Sequence, residues 1–226
     1  MSEGFRIRQH WKRADSDDVA RARGIAVSNI SDVMARMNGA PAGLRPFHRG
    51  GALSGPAFTV RCRPGDNLML HKALLMAQPG DVIVVDAGGA LDNAIMGELM
   101  LARAVQAQVA GVVINGAIRD TAAIAEQDVP VFAAGVNHRG PYKDGPGEIG
   151  YAISLGGMVV EPGDLIVGDD DGVISIPAAT AREVLDRAEA KHAAEMQQLE
   201  QTLSGNYDGA WIDAALKAGG CSIDEQ

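Results

Sequence analysis

Apolar positions along this chain switch between helical spacing and short β-branched runs, and the switches mark the elements. Ser16 to Arg23 and Ser28 to Met37 carry helical patterns, with Ser16, Ser28 or Ser31 as candidate caps, and the Gly and Pro cluster from Gly39 to Pro46 ends that region. Ala57 to Arg63 alternates like a strand, Asp66 to Ala77 spaces its apolar residues like a helix, and the Pro79-Gly80 turn leads into the apolar run Val82 to Val85. After Asp86 the pattern predicts the loop AGGALDNAI and then a helix from about Met96 to Gln108. A strand over Val112 to Ile114, a second loop, a short helix over Thr121 to Glu126 and a strand over Val129 to Ala133 follow.

Short β-branched runs alternating with helices imply a parallel sheet with right-handed crossovers, in which Val82 to Asp86 and Gly111 to Asn115 lie side by side. The second half changes character. Gly150 to Leu155, Met158 to Val160, Leu165 to Val167 and Val173 to Ile176 are short strands separated by Gly, Pro and Asp turns, the pattern of antiparallel hairpins. The expected fold is a mixed α/β layer structure. Ala178 to Leu203 forms a long helix with Leu185, Ala188, His192, Met196, Leu199 and Leu203 three or four apart, a face apolar enough to pack on the core or on another subunit. Tyr207, Trp211 and Ile212 beyond it read as an arm that docks. The chain thus divides into a helical lead-in over residues 1–40, an α/β core carrying the candidate site over 41–177, and a C-terminal helix and arm at a subunit interface over 178–226.

With 226 residues, 46% hydrophobic and rich in Gly, the chain suits one compact domain with appendages. A net charge of -9 without clustered Lys or Arg argues against a nucleic-acid surface. The opening MSEGFRIRQHWKR lacks the apolar run of a secretory signal, and no stretch supplies the ~20 apolar residues of a membrane span, so a cytoplasmic protein with no membrane partner is expected. Cys62 and Cys221 lie far apart, without metal-ligand spacing or an identifiable base, against a disulfide framework, a zinc site or thiol catalysis.

Two motifs fail on their context. GPGEIG at Gly145 to Gly150 matches dinucleotide-fingerprint spacing, but Pro146 interrupts it and strand-like sequence follows where a helix is required. DDDG at Asp169 to Gly172 lacks the first carboxylate of a calcium loop and reads as a hairpin turn. No Gly-rich loop ending in Lys-Ser or Lys-Thr is present.

The segment GELMLARAVQAQVAGVVINGAIRD, Gly97 to Asp120, is more informative. It places an acidic residue at a turn entering a helix and an Arg-Asp pair at the next strand-to-helix turn. Loops leaving the carboxyl ends of neighbouring parallel strands face one crevice. Gly97, Glu98, Leu99 and Met100 would present unpaired N–H groups there, favouring a carboxylate ligand, and Gly97 lets it approach. Arg119 adds a charge-assisted bond to the same anion, while Asp120 offers a hard oxygen to magnesium or manganese. Each residue alone has a plainer explanation. Glu98 suits a first helical turn, Asp120 suits an N-cap, and Arg119 suits a surface ion pair.

The acidic residue, the 20 residues 99 to 118, and Arg119-Asp120 resemble the RraA-like family, as do the blocks GDNLMLHKAL, PGDVIVVDAGG, GPYKDGPGE and GGMVVEPGDLIVGDDDGVISIP. That family includes metal-dependent 4-hydroxy-4-methyl-2-oxoglutarate / 4-carboxy-4-hydroxy-2-oxoadipate aldolases, and the likeness spans roughly Ser28 to Ala190. It implies a swivelling β/β/α fold with a long C-terminal helix, and homotrimers or homohexamers with sites near subunit boundaries. A substrate carboxylate would lie on the amides of Gly97 to Met100, Arg119 on the pyruvoyl group, and magnesium at Asp120 partly through water. The acidic position is Asp or Glu in the family, and Glu98 is one methylene longer than Asp. Regulatory members, which restrain ribonuclease E, lack the metal-binding Asp, so Asp120 favours an enzyme.

The implied reaction cleaves a 4-hydroxy-2-oxo acid to pyruvate and a second keto acid. Magnesium and Arg119 stabilise the enolate oxyanion, while a metal-bound water steered by Glu98 removes the C4 hydroxyl proton. Oxaloacetate decarboxylation shares that enolate and is an expected side activity. Asn67, His71, Asn93 and Lys143 are further neighbours from the family blocks, with His71 read as a structural residue on an apolar helix face. The rival readings are a non-enzymatic ribonuclease regulator engaging a basic partner, and another 2-oxo-acid aldolase or a dedicated decarboxylase.

Overall fold

The computed structural model describes residues 3–222. The first half contains β1 (Phe5–Ile7), α1 (Ser16–Ala22), α2 (Val27–Val33), β2 (Arg45–Pro46), β3 (Leu53–Cys62), α3 (Leu68–Ala73), β4 (Val82–Asp86), β5 (Ala94–Met96) and α4 (Glu98–Gln106). It continues through β6 (Gly111–Ile118), α5 (Thr121–Ala125), β7 (Val131–Val136), β8 (Gly147–Ile149), β9 (Ile153–Leu155) and β10 (Met158–Val160). The last elements are β11 (Leu165–Asp169), β12 (Gly172–Ile176), α6 (Ala181–Leu203) and α7 (Ala210–Ala218).

The main sheet runs β1-β8-β3-β4-β6-β7-β2, with β5 beside the end of β6 and the β11–β12 hairpin on the start of β3. Strands β3, β4, β6 and β7 are parallel, and Val82 to Asp86 pairs residue by residue with Gly111 to Asn115, as the apolar pattern predicts. Alternation sorts the core into layers. Ile83, Val85, Val112 and Ile114 face α3 and α4, where Leu70, Ala73, Leu101 and Ala104 pack on them. Val82, Val84 and Val113 face the other way, onto Ile153, Leu155, Met158 and Val160 of the β9–β10 hairpin. A third cluster joins α1 and α2 to β11, β12 and the first turns of α6. The result is a mixed α/β layered fold with a long C-terminal helix.

Several boundaries differ from the sequence pattern for local reasons. Residues 5–7 form a strand within the expected helical lead-in, Phe5 pairing in parallel with Gly147. Asp15, not Ser16, caps α1, its carboxylate accepting the Asp17 N–H at 2.9 Å. Neither Ser28 nor Ser31 caps α2; its first N–H, on Val27, donates to Asp169 of the β11–β12 hairpin at 2.9 Å. That helix stops at Val33 because Ala35 and Arg36 take positive φ angles of 57° and 61°. The expected Asp66 to Ala77 helix shortens to α3, β5 occupies the end of the loop after Asp86, and β6 continues to Ile118 through the expected second loop. Gly147 to Leu155 holds two strands, β8 and β9, broken at Gly150 by a φ of 76°.

The described residues fall into two compact units divided after Glu189, with α6 crossing the division. In the first, Leu185 and Ala188 of α6 are buried as their spacing predicts. In the second, Met196, Leu199, Leu203, Tyr207, Trp211 and Ile212 are exposed, and α7 buries none of its residues. Among the described residues no helix is long and apolar enough to cross a membrane.

Gly55 lies where β3 leaves β11 to join β4, and a Cβ there would stand 2.4 Å from the Gly80 carbonyl oxygen. Gly55→Ala is therefore expected to lower unfolding stability by about 2–3 kcal/mol, read by urea denaturation, through overpacking against backbone that cannot yield.

Candidate active site

Two chain reversals form the site. Strand β5 pairs in parallel with the end of β6, Met96 opposite Ile118, and the Arg119 N–H donates to the Met96 carbonyl at 3.0 Å. Both strands end at one level, so Gly97 at the start of α4 lies beside Arg119 and Asp120. A Cβ on Gly97 would stand 2.4 Å from Asp120 Oδ2 and 3.0 Å from Arg119 Cγ. The absent side chain makes room for the Asp120 carboxylate itself.

Asp120 is left-handed, at φ 59° and ψ 37°, and its side chain does not cap α5, the helix it precedes. Its Oδ2 instead accepts the Glu98 N–H at 3.1 Å and lies 3.7 Å from Arg119 Nε. The partial positive charge at the start of α4 holds this carboxylate across the gap between the reversals. Not all four expected amides are free. Glu98 N–H is taken by Asp120, and Met100 N–H donates to the Gly97 carbonyl at 3.1 Å. Gly97 and Leu99 N–H have no acceptor among the described residues.

These groups open on a cavity of about 230 Å³ that Asn67, His71, Pro141 and Lys143 also line. Asn67 is buried, and its Nδ2 donates to the Ile95 carbonyl at 2.9 Å, which fixes the amide orientation. Its Oδ1 is left buried with no partner among the described residues. His71 Nδ1 lies 3.0 Å from an Arg103 guanidinium nitrogen. Burial, and then the charges of Arg103 and Lys143, hold the imidazole pKa below its ordinary value, so the ring is neutral at pH 7. Expecting His71 to be structural accounts for its bond to Arg103 but not for its place in the cavity wall. Asn93 stands outside that wall, donating to the Gly140 carbonyl at 2.6 Å.

Asp66, which sequence reasoning missed, holds the opposite wall. Its buried carboxylate accepts the Leu68 N–H at 2.9 Å, the Asp144 N–H at 2.7 Å and the Gly145 N–H at 3.0 Å. It thereby ties the start of α3 to the loop that carries Pro141 and Lys143. The only signal in the sequence is an Asp two residues ahead of a helix, which says nothing of a partner 78 residues away.

Among the described residues no three His, Cys, Asp or Glu side chains gather as a metal cluster. That donor set suits neither zinc nor a calcium cage, which need several protein ligands. It fits magnesium, which keeps most of its waters and takes one or two carboxylates. Asp120 is 44% exposed, and its Oδ1 has no partner among the described residues. Arg119 and Lys143 formally balance Glu98 and Asp120, so a dianionic ligand and a dication would enter together without net charge.

The family model described as RraA-like, Aldolase/RraA, matches residues 27–175. The chain belongs to the RraA-like family. A relative from Halalkalibacterium halodurans, provisionally named a 4-hydroxy-4-methyl-2-oxoglutarate aldolase, is 39% identical over 194 residues, 86% of this chain and 92% of its own. RraAS2 of Streptomyces coelicolor, described as an unusual member of the RNase ES inhibitor RraA protein family, superposes with a TM-score of 0.75 at 26% identity, covering 83% of this chain and 98% of that one. An uncharacterized protein of Pseudomonas syringae pv. tomato gives a TM-score of 0.77 at 24% identity over 86% of this chain and 96% of its own, a likeness of fold alone.

Asp66→Ala, which strands three backbone donors, is expected to cost about 3 kcal/mol of stability. Thermal unfolding measures the loss, and limited trypsin digestion should newly cut after Lys143 as the loop detaches.

Proposed function

We propose that this RraA-like chain is a metal-dependent carbon–carbon lyase that cleaves a 4-hydroxy-2-oxo acid of the 4-hydroxy-4-methyl-2-oxoglutarate / 4-carboxy-4-hydroxy-2-oxoadipate type to pyruvate and a second keto acid. The observation that carries the reading is the Asp120 carboxylate, held left-handed against the start of α4 beside Arg119, at a cavity sized for a small acid. The name of the relative at 39% identity supports the same class of reaction.

The chain's own groups have definite work in it. Gly97 and Leu99 N–H offer two donors to the substrate carboxylate. Arg119 faces the same end of the substrate as a fixed cation and forked donor. Cleavage leaves the C3–C4 electron pair on C3, giving an enolate whose negative charge sits on the 2-oxo oxygen, and Arg119 stabilises that charge. Glu98, exposed at the cavity edge, takes the C4 hydroxyl proton through a water, and protonation of C3 completes pyruvate. Magnesium, or manganese, at Asp120 supplies Lewis-acid stabilisation of the same oxygen when bound. Oxaloacetate decarboxylation proceeds through that enolate as a side activity.

Asp120→Ala and Arg119→Ala are each expected to cut pyruvate release by at least roughly 100-fold. Asp120→Asn separates capping from metal binding. Asn tolerates the left-handed conformation and still accepts from Glu98 N–H, so stability should hold within about 0.5 kcal/mol while activity falls as far. The assay is pyruvate formation from a panel of 4-hydroxy-2-oxo acids with magnesium and with chelator. Full activity in any of the three variants overturns the assignment, and no turnover by the unaltered chain points to a non-catalytic regulator.

We further propose that the C-terminal arm completes a homotrimer or homohexamer. A nine-residue helix that buries nothing, as α7 does, is too short to persist alone in water. Sedimentation velocity should give a mass of three or six chains, and Trp211→Asp with Leu216→Asp should shift it towards monomer.

A further inference from the structure

The contact between α3 and α4 carries more than packing. Arg103 Nη1 lies 3.0 Å from His71 Nδ1. A guanidinium has donors and no acceptor, so Nδ1 receives this bond, and the single proton of the neutral ring sits on Nε2. Arg103 does not line the cavity, whereas His71 does. The guanidinium therefore grips the ring from outside the cavity wall, and Nε2–H has no acceptor among the described residues. Arg103 also has no carboxylate partner among the described residues, and its guanidinium bonds to the imidazole. The groups facing His71 are cationic, Arg103 from α4 and Lys143 from the loop clamped by Asp66, with Glu98 in the same cavity.

We infer that Arg103 is a positioning residue that fixes His71 as its Nε2–H tautomer, so that the imidazole offers the cavity a hydrogen-bond donor and not an acceptor. The groups such a donor recognises are acceptor-only oxygens, the carbonyl and carboxylate oxygens of a 2-oxo acid. With the other tautomer, a lone pair would face the same oxygens and repel them. The catalytic consequence rests on the aldolase reading above; the tautomer itself does not.

The test is the ¹⁵N spectrum of the His71 ring in the full chain without substrate, beside steady-state pyruvate release, for the unaltered protein, Arg103→Met and Arg103→Lys. The unaltered chain should show Nε2 protonated and Nδ1 bare across neutral pH. Arg103→Met should give mixed tautomers and a kcat/KM roughly five- to tenfold lower, the loss of one hydrogen bond. Arg103→Lys, which can still donate to Nδ1, should restore the spectrum and most of the activity. A proton on Nδ1 in the unaltered chain overturns the inference, and this holds even where Arg103→Met fails to fold. So does an Arg103→Met that changes tautomer without changing rate, or rate without changing tautomer. If the unaltered chain shows the Nε2–H form yet turns over none of the hydroxy acids, the aldolase reading fails and the tautomer assignment stands.

Discussion

The site depends on one short piece of sheet. Three residues of β5 pair with the far end of β6, and that pairing ends two successive strand-to-helix connections at the same height. Without it, α4 would begin wherever the loop after Asp86 happened to deliver it. With it, the positive end of α4 meets the Asp120 carboxylate at hydrogen-bond distance, and Arg119 lies alongside. The bare backbone of Gly97 is the steric condition for this meeting, because any Cβ would occupy the carboxylate's place.

Around that junction the cavity is assembled from parts distant in sequence, each held by buried hydrogen bonds. Asp66 binds the Lys143 loop to α3, and Asn67 binds α3 to β5 through the Ile95 carbonyl. These carboxylate and amide bonds lie out of water, where each is stronger and each loss costs more. The walls are thus held in place before any ligand arrives. Charge balances within them, two cations against two carboxylates, so the cavity favours a ligand that brings its own counter-charge.

How much of this could be read from the sequence follows from the range of the interactions. That β4 and β6 lie side by side was legible because each carries a β-branched run, Val82 to Val85 and Val112 to Ile114, buried on both faces. The meeting of Gly97 with Arg119 and Asp120 followed from parallel topology. Strands β1, β5 and β8 were not legible, since each is set by a partner outside its own stretch of chain, as Phe5 is by Gly147 and Met96 by Ile118. The C-terminal stop of α2 at Val33 escaped because Ala35 and Arg36 are not residues that announce a left-handed turn. In the site, His71 and Lys143 came only with the family blocks. Arg103 came from neither, because its contact with His71 exists only once α3 and α4 have packed.

Asp120 shows where local rules and function part. As the residue before α5 it should cap α5, and sequence reasoning gives it that plain role. In the fold it adopts a left-handed backbone, costing roughly 1 kcal/mol for a residue with a Cβ, and sends its carboxylate to a different helix 22 residues back. Gly would remove the strain, and a locally capping conformation would satisfy α5. Neither would put a carboxylate with one free oxygen at the cavity mouth beside Arg119. A position that forgoes two local gains for one placement is where selection for chemistry, rather than for folding, is expected to show.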